Sequence, residues 1–278
     1  MKQYLQIAMR FWLLLTPAIA CSMLAASPSQ AATFASSQGL FNFTNFSQSP
    51  FQVITDTNTQ TLTIAESGMV KALANAEAFF LTTPPLASNS SLSVAFGENR
   101  DYLGIANSQA SVIGLFDVDA GKDFSFDFLA NLNLFSSIDN PPTENARASG
   151  DISFALIDAN NNKLLDFFSL TGNVVTEGNN DFVAYQNSGN ITLNNPNVIS
   201  DFGGKQEFAK ASIQGYLNRS FSNNTKIALI EVKRNRVRVA VPEPSTNIAL
   251  FLSAIVIGAR WKRQQKVTPN IRKQAAEV

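Results

Sequence analysis

The 278-residue chain is 45% hydrophobic and only 15% charged, with 22 phenylalanines, no histidine and a single cysteine, Cys21. Without imidazole and with one thiol, a Ser-His-Asp triad, a Cys-His pair and a Cys/His zinc site are excluded, which leaves carboxylate, Ser-Lys or oxygen-ligated metal chemistry. The net charge is zero overall, yet residues 32–241 hold 13 Lys and Arg against 19 Asp and Glu, a net charge of −6, so no nucleic-acid partner is expected.

At the N-terminus, Lys2 and Arg10 precede an apolar stretch over 11–26, followed by Ser27, Pro28, Ser29 and Gln30. This order of basic, apolar and small-residue regions predicts a signal peptide over 1–31, cut by signal peptidase after Ala31. An uncleaved anchor is one alternative. A lipoprotein signal ending at Cys21, after Ala18-Ile19-Ala20, is another.

Residues 32–241 are expected to form one extracytoplasmic domain, since period-two alternation recurs along them. Leu62 and Ile64 alternate with Thr61 and Thr63; Leu92, Val94 and Phe96 with Ser91, Ser93 and Ala95; Phe124, Phe126 and Phe128 with Ser125 and Asp127. Ile152, Phe154 and Leu156 repeat the pattern, and Val237, Val239 and Val241 oppose Arg236 and Arg238 in a last strand. Further strands are expected near 111–118, 163–170, 190–193 and 226–232. The stretch 70–80 alternates alanines like a strand although its composition favours helix, and it is read as strand. Turns are marked by Thr82-Thr83-Pro84-Pro85, Asp119-Ala120-Gly121-Lys122, Asn140-Pro141-Pro142 and Asn160-Asn161-Asn162. Ten to twelve strands predict an all-β, antiparallel two-sheet sandwich, with a jelly roll as one topology that fits.

After the domain, Pro242, Glu243 and Pro244 form a rigid, extended hinge that can join neither a sheet ladder nor a helix. An uncharged run over 248–259 follows, closed by Arg260, Trp261, Lys262 and Arg263. As a helix, 248–259 would rise about 18 Å and 244–261 about 27 Å, against a hydrocarbon core of about 30 Å. The basic cluster would hold its end on the cytoplasmic side of the inner membrane, with the domain outside and 264–278 as a cytoplasmic tail. A buried soluble helix is the alternative.

Pro242-Glu243-Pro244, an apolar segment and a basic cluster, in that order, resemble the PEP-CTERM sorting signal. The resemblance covers mainly the last forty or so residues. It implies that Pro242, Glu243 and Pro244 are the recognition triplet for an exosortase-like membrane protease, 248–259 the membrane segment, and Arg260, Lys262 and Arg263 the membrane stop. It further implies transfer of the protein to the cell surface or exterior.

Other constellations have plain readings. Asp158-Ala159-Asn160-Asn161-Asn162 starts like a calcium loop, but Lys163 and Ser169 stand where an EF-hand needs Gly and Glu, so a hairpin turn is expected. Asp117, Asp119, Asp123 and Asp127 read as solvent-facing acids or as a calcium site. Glu98, Asp117 and Asp151 are nominal carboxylates for a glycosidase. Phe41, Phe43, Phe46 and Phe51 read as core rather than as a sugar-stacking surface. Six Asn-x-Ser/Thr triplets occur, at Asn42, Asn45, Asn89, Asn190, Asn218 and Asn223.

These readings together predict a non-enzymatic, cofactor-free surface or matrix protein with exopolysaccharide as a partner. The alternatives are a carbohydrate-binding module and a carboxylate-dependent glycoside hydrolase.

Overall fold

The computed structural model describes residues 32–241. Ala31, Pro242, Glu243, Pro244, the run 248–259, Arg260, Lys262 and Arg263 therefore lie outside the described residues, as do the signal peptide and the tail. The described chain forms β1 (Ala32–Thr44), β2 (Gln52–Ala65), β3 (Met69–Thr82), β4 (Pro85–Glu98), β5 (Tyr102–Val118) and β6 (Lys122–Ser137). It continues as β7 (Asn145–Asp158), β8 (Lys163–Val175), β9 (Phe182–Asn187), β10 (Ile191–Asp201), β11 (Gln206–Phe221) and β12 (Thr225–Val241). Among the described residues there is no helix, and so none long and apolar enough to cross a membrane.

The strands make two six-stranded antiparallel sheets. Sheet A runs β10-β11-β6-β1-β4-β3 and sheet B runs β2-β5-β12-β7-β8-β9. They pack face to face, and buried side chains of β1 and β4 meet those of β12 between them. The four sequence-marked turns all fall between strands. Asn160, Asn161 and Asn162 close the β7–β8 hairpin: Asp158 Oδ1 accepts from Asn160 N at 2.9 Å, and Asn162 takes φ 56°, which asparagine tolerates better than most residues. Pro196 stands in edge strand β10 where its register shifts between Asn194 and Asn197, a position that needs no ladder donor.

At one end of the interior, phenylalanines dominate. Phe154 packs against Phe41, Phe43, Phe126, Phe128 and Phe168 with ring centroids 5.1 to 5.9 Å apart. These are tilted or edge-to-face arrangements for the most part, the geometry that aromatic quadrupoles favour. Next to them lies a polar belt of Ser37, Asn89, Ser91, Ser93, Ser108, Glu231, Lys233 and Asn235, all buried. Small residues make room for it. A Cβ on Gly39 would come within 2.5 Å of Lys233 Cδ, and one on Gly150 within 3.2 Å of Asn235 Nδ2.

The structure corrects several expectations. In β4 the fully buried face carries Ser91, Ser93 and Ala95, while on the other face Val94 is buried and Leu92 and Phe96 are half-buried. The serines face the polar belt rather than an apolar core. Residues 226–232 and 236–241 belong to one strand, β12, because Glu231, Lys233 and Asn235 continue its inward face through what reads as a polar break. Leu62 is 40% exposed because β2 is an edge strand. Phe41 and Phe43 are buried and Phe46 packs against the core, but Phe51 is 54% exposed, beneath Lys226. Strand β10 extends well past Leu193.

Candidate functional site

The outer face of sheet B carries a cleft of about 720 Å³. Its floor comes from β7, β8 and β12, whose outward side chains alternate with the buried ones, and its wall from the segment between β8 and β9. Arg234 and Arg236 project from β12 beside Asp151 and Ser149 of β7, their direct cross-strand partners. Arg147 stands on the same face and lies opposite Arg238. Arg147 and Arg238 thus set like charges directly opposite one another, which is destabilising, whereas Arg234 faces the Asp151 carboxylate.

The cleft is held in shape. Arg147 Nε donates to Asn173 Oδ1 at 2.9 Å, and Asn173 Nδ2 donates to Asn180 O at 2.8 Å. Asp181 Oδ1 accepts from Val175 N at 2.6 Å, and Thr176 Oγ1 donates to Ala146 O at 3.0 Å. Phe182, 46% exposed, sits on the rim. Burial pushes the Asp151 carboxyl upward, against the pull of Arg234 and Arg236. Outward arginines on one strand repeat every ~7 Å, twice the rise per residue. Planar guanidinium forks at that spacing suit successive carboxylates or sulfates on an extended polymer, with the Phe182 ring offering an apolar face to a sugar.

The nominal carboxylates do not come together. Glu98 closes β4 and pairs with Ala32 and Met69, whereas Asp117 lies near the far end of β5, opposite Lys226. Of the three, Asp151 alone lines the cleft. Asp127 accepts from Asn45 Nδ2 at 2.6 Å and Asp123 from Ser220 Oγ at 2.5 Å. Among the described residues no group of three acids is placed to hold a metal ion. Asn89, one of the six Asn-x-Ser/Thr positions, is buried and points into the polar belt.

That belt is an ordered array. Lys233 Nζ donates to Asn89 Oδ1 at 2.5 Å, and Asn89 Nδ2 donates to Glu231 Oε2. Ser91 Oγ donates to Asn235 Oδ1, and Asn235 Nδ2 donates to Ser37 Oγ at 2.5 Å. Glu231 Oε1 has no hydrogen-bond partner. Sequence reasoning missed both the array and the cleft. The even spacing of Leu229, Glu231, Lys233, Asn235 and Val237 is the signal that places the polar residues on the buried face.

No protein-family model, curated protein or solved structure matches this chain.

Behind the cleft wall, burial raises the Glu207 carboxyl to about 7, with the Asp181 carboxylate adding to the effect and the Gly203 amide opposing it. A carboxyl raised in the folded state gives stability that is complete below its unfolded value, near 4.5, and is lost as pH rises through about 7. Glu207→Gln is expected to remove this loss. Urea midpoints of parent and variant should diverge between pH 4.5 and 7, with the variant relatively more stable at the upper end.

Proposed function

We propose that this chain is an exported, non-enzymatic cell-envelope protein whose 32–241 domain binds acidic exopolysaccharide in the arginine cleft. The observation that carries the reading is the set of exposed guanidinium groups of Arg147, Arg234 and Arg236 around one pinned cleft. A bound polyanion would relieve their mutual repulsion and form charge-assisted, two-pronged hydrogen bonds. The net charge of −6 on the domain works against non-specific capture of polyanions, so binding depends on local geometry. Equilibrium binding of the purified protein to an acidic polysaccharide and to its carboxyl-reduced form tests this. Affinity for the acidic form alone is expected; equal affinity for both overturns the reading.

Delivery rests on the ends of the chain. Signal peptidase would release the N-terminus after Ala31, and an exosortase-like protease would recognise Pro242, Glu243 and Pro244 while 248–259 and Arg260, Lys262 and Arg263 hold the protein in the inner membrane. From there the domain would pass to the cell surface or exterior. Replacing Pro242 and Pro244 with Ala is expected to abolish C-terminal processing, read by mass spectrometry of the C-terminus in the producing cell. Retention of Val278 in both parent and variant, in the same membrane fraction, contradicts the sorting proposal.

A further inference from the structure

We propose that Lys233 and Asn89 join through an isopeptide bond that the folded domain forms by itself, with Glu231 as the proton-transfer group, so that β12 of sheet B is covalently stapled to β4 of sheet A. The geometry carries this. Lys233 Nζ lies 2.5 Å from Asn89 Oδ1, so the amide carbon is only one C=O bond, about 1.23 Å, further along the side chain. On its other side the same carboxamide presents Nδ2 to Glu231 Oε2. One amide is thus held between an amine nucleophile and a carboxyl group that touches its leaving nitrogen, which brings together the three groups that acyl transfer uses.

The surroundings favour the neutral reactants. Lys233 and Glu231 are 0% exposed, and Asn89 is 2% exposed. Lys233 pairs laterally with Ala110 and Ile152, Glu231 with Val112 and Phe154, and Asn89 with Phe41. Among the described residues no carboxylate lies within ion-pair distance of Lys233 Nζ, whose acceptor is Asn89 Oδ1. Burial pushes the Lys233 amine down, opposed by Glu231, and pushes the Glu231 carboxyl up, opposed by Lys233 and Asn89 and assisted by Asp151. An uncharged amine is the nucleophilic form, and an uncharged carboxyl can give a proton.

The step balances without any other reactant. Lys233 Nζ attacks Asn89 Cγ, forming the Nζ–Cγ bond and a tetrahedral centre. Glu231 passes a proton to Nδ2 and recovers one from Nζ; the Cγ–Nδ2 bond breaks and ammonia leaves. The product is an uncharged secondary amide. It replaces an ionisable amine that the fold must otherwise keep out of water, which gives the reaction a driving force in addition to loss of ammonia.

Digestion of the full-length protein followed by peptide mass mapping tests the bond directly. The parent should yield one branched peptide containing Asn89 and Lys233, lighter than the sum of its two linear components by about 17 Da, the mass of ammonia. It closes a loop between residues 144 positions apart, so denatured parent protein should migrate faster in a gel than a linear control. In Glu231→Gln, which keeps the side-chain volume, and in Glu231→Ala, the linear peptides should exceed the branched one at least tenfold. Quantitative recovery of unmodified linear Asn89 and Lys233 peptides from folded parent protein overturns the linkage. Full branching in either variant overturns the role given to Glu231. The presence or absence of the bond is read from the parent protein alone, so it does not depend on whether either variant folds.

Discussion

Protein carrying Arg234→Glu together with Arg236→Glu is expected to pass unretarded through a column of acidic polysaccharide that holds the parent. Each arginine contributes one charge-assisted contact to a polyanion, worth about 1.5–3 kcal/mol, so removing two costs at least about 3 kcal/mol, or roughly a hundredfold in affinity. Reversing the charge adds repulsion to that loss. Both side chains are exposed on the outer face of β12, away from the polar belt that Lys233 and Asn235 join on the inner face. Because the new acid at position 234 stands opposite Asp151, the thermal midpoint of the variant should fall by a few degrees at most, which separates lost binding from lost folding. Binding by the parent should also weaken steeply with salt, because exposed charges are screened over about 8 Å at physiological ionic strength and about 3 Å at 1 M.

Phe154→Ala is expected to cause the largest loss of stability from any single truncation in the phenylalanine cluster. Phe154 is 2% exposed and packs on five other rings contributed by β1, β6 and β8, so its removal leaves a cavity that facing sheets cannot close. The cost is about 3–5 kcal/mol, which for a domain of this size lowers the thermal midpoint by about 6–20 °C. Phe51→Ala provides the contrast. That ring is 54% exposed and takes a cation contact from Lys226 at 5.9 Å, so its loss should cost no more than about 1 kcal/mol. Calorimetry of the two variants distinguishes a ring in the core from one on the surface.

Much of the fold is legible in the sequence because strands with one buried apolar face advertise a period of two. Phe124, Phe126 and Phe128 do so, and all three are buried in β6. Strand β11 is harder to see, since its inward face begins with Glu207, Ala209 and Ala211 and is interrupted by Gly215, so that only Ile213, Leu217 and Phe221 mark a core. Strand β12 hides for a related reason. Glu231, Lys233 and Asn235 resemble a solvent-facing segment, and only their even spacing from Leu229 and Val237 fixes them inside. Ser91 and Ser93 then look like an outer face until the buried polar groups opposite them are known.

The arginine cleft is half legible. Arg236 and Arg238 stand out against Val237 and Val239 as outward residues of one strand. Nothing local brings Arg147 and Asp151 beside them, because that depends on the register of β7 against β12, set by residues more than eighty positions apart in the chain. The pinned segment between β8 and β9 likewise gains its shape from Asn173, Val175 and Ala146, contacts that no short motif records.

The most direct test of the cleft as the binding site is arginine-selective chemical labelling of the full-length protein, with and without acidic polysaccharide, read peptide by peptide. Arg147, Arg234 and Arg236 should lose most of their labelling when the polysaccharide is present, while Arg100, at the β4–β5 turn, labels equally in both samples. Unchanged labelling of the three cleft arginines under conditions where the polysaccharide is bound would contradict the assignment.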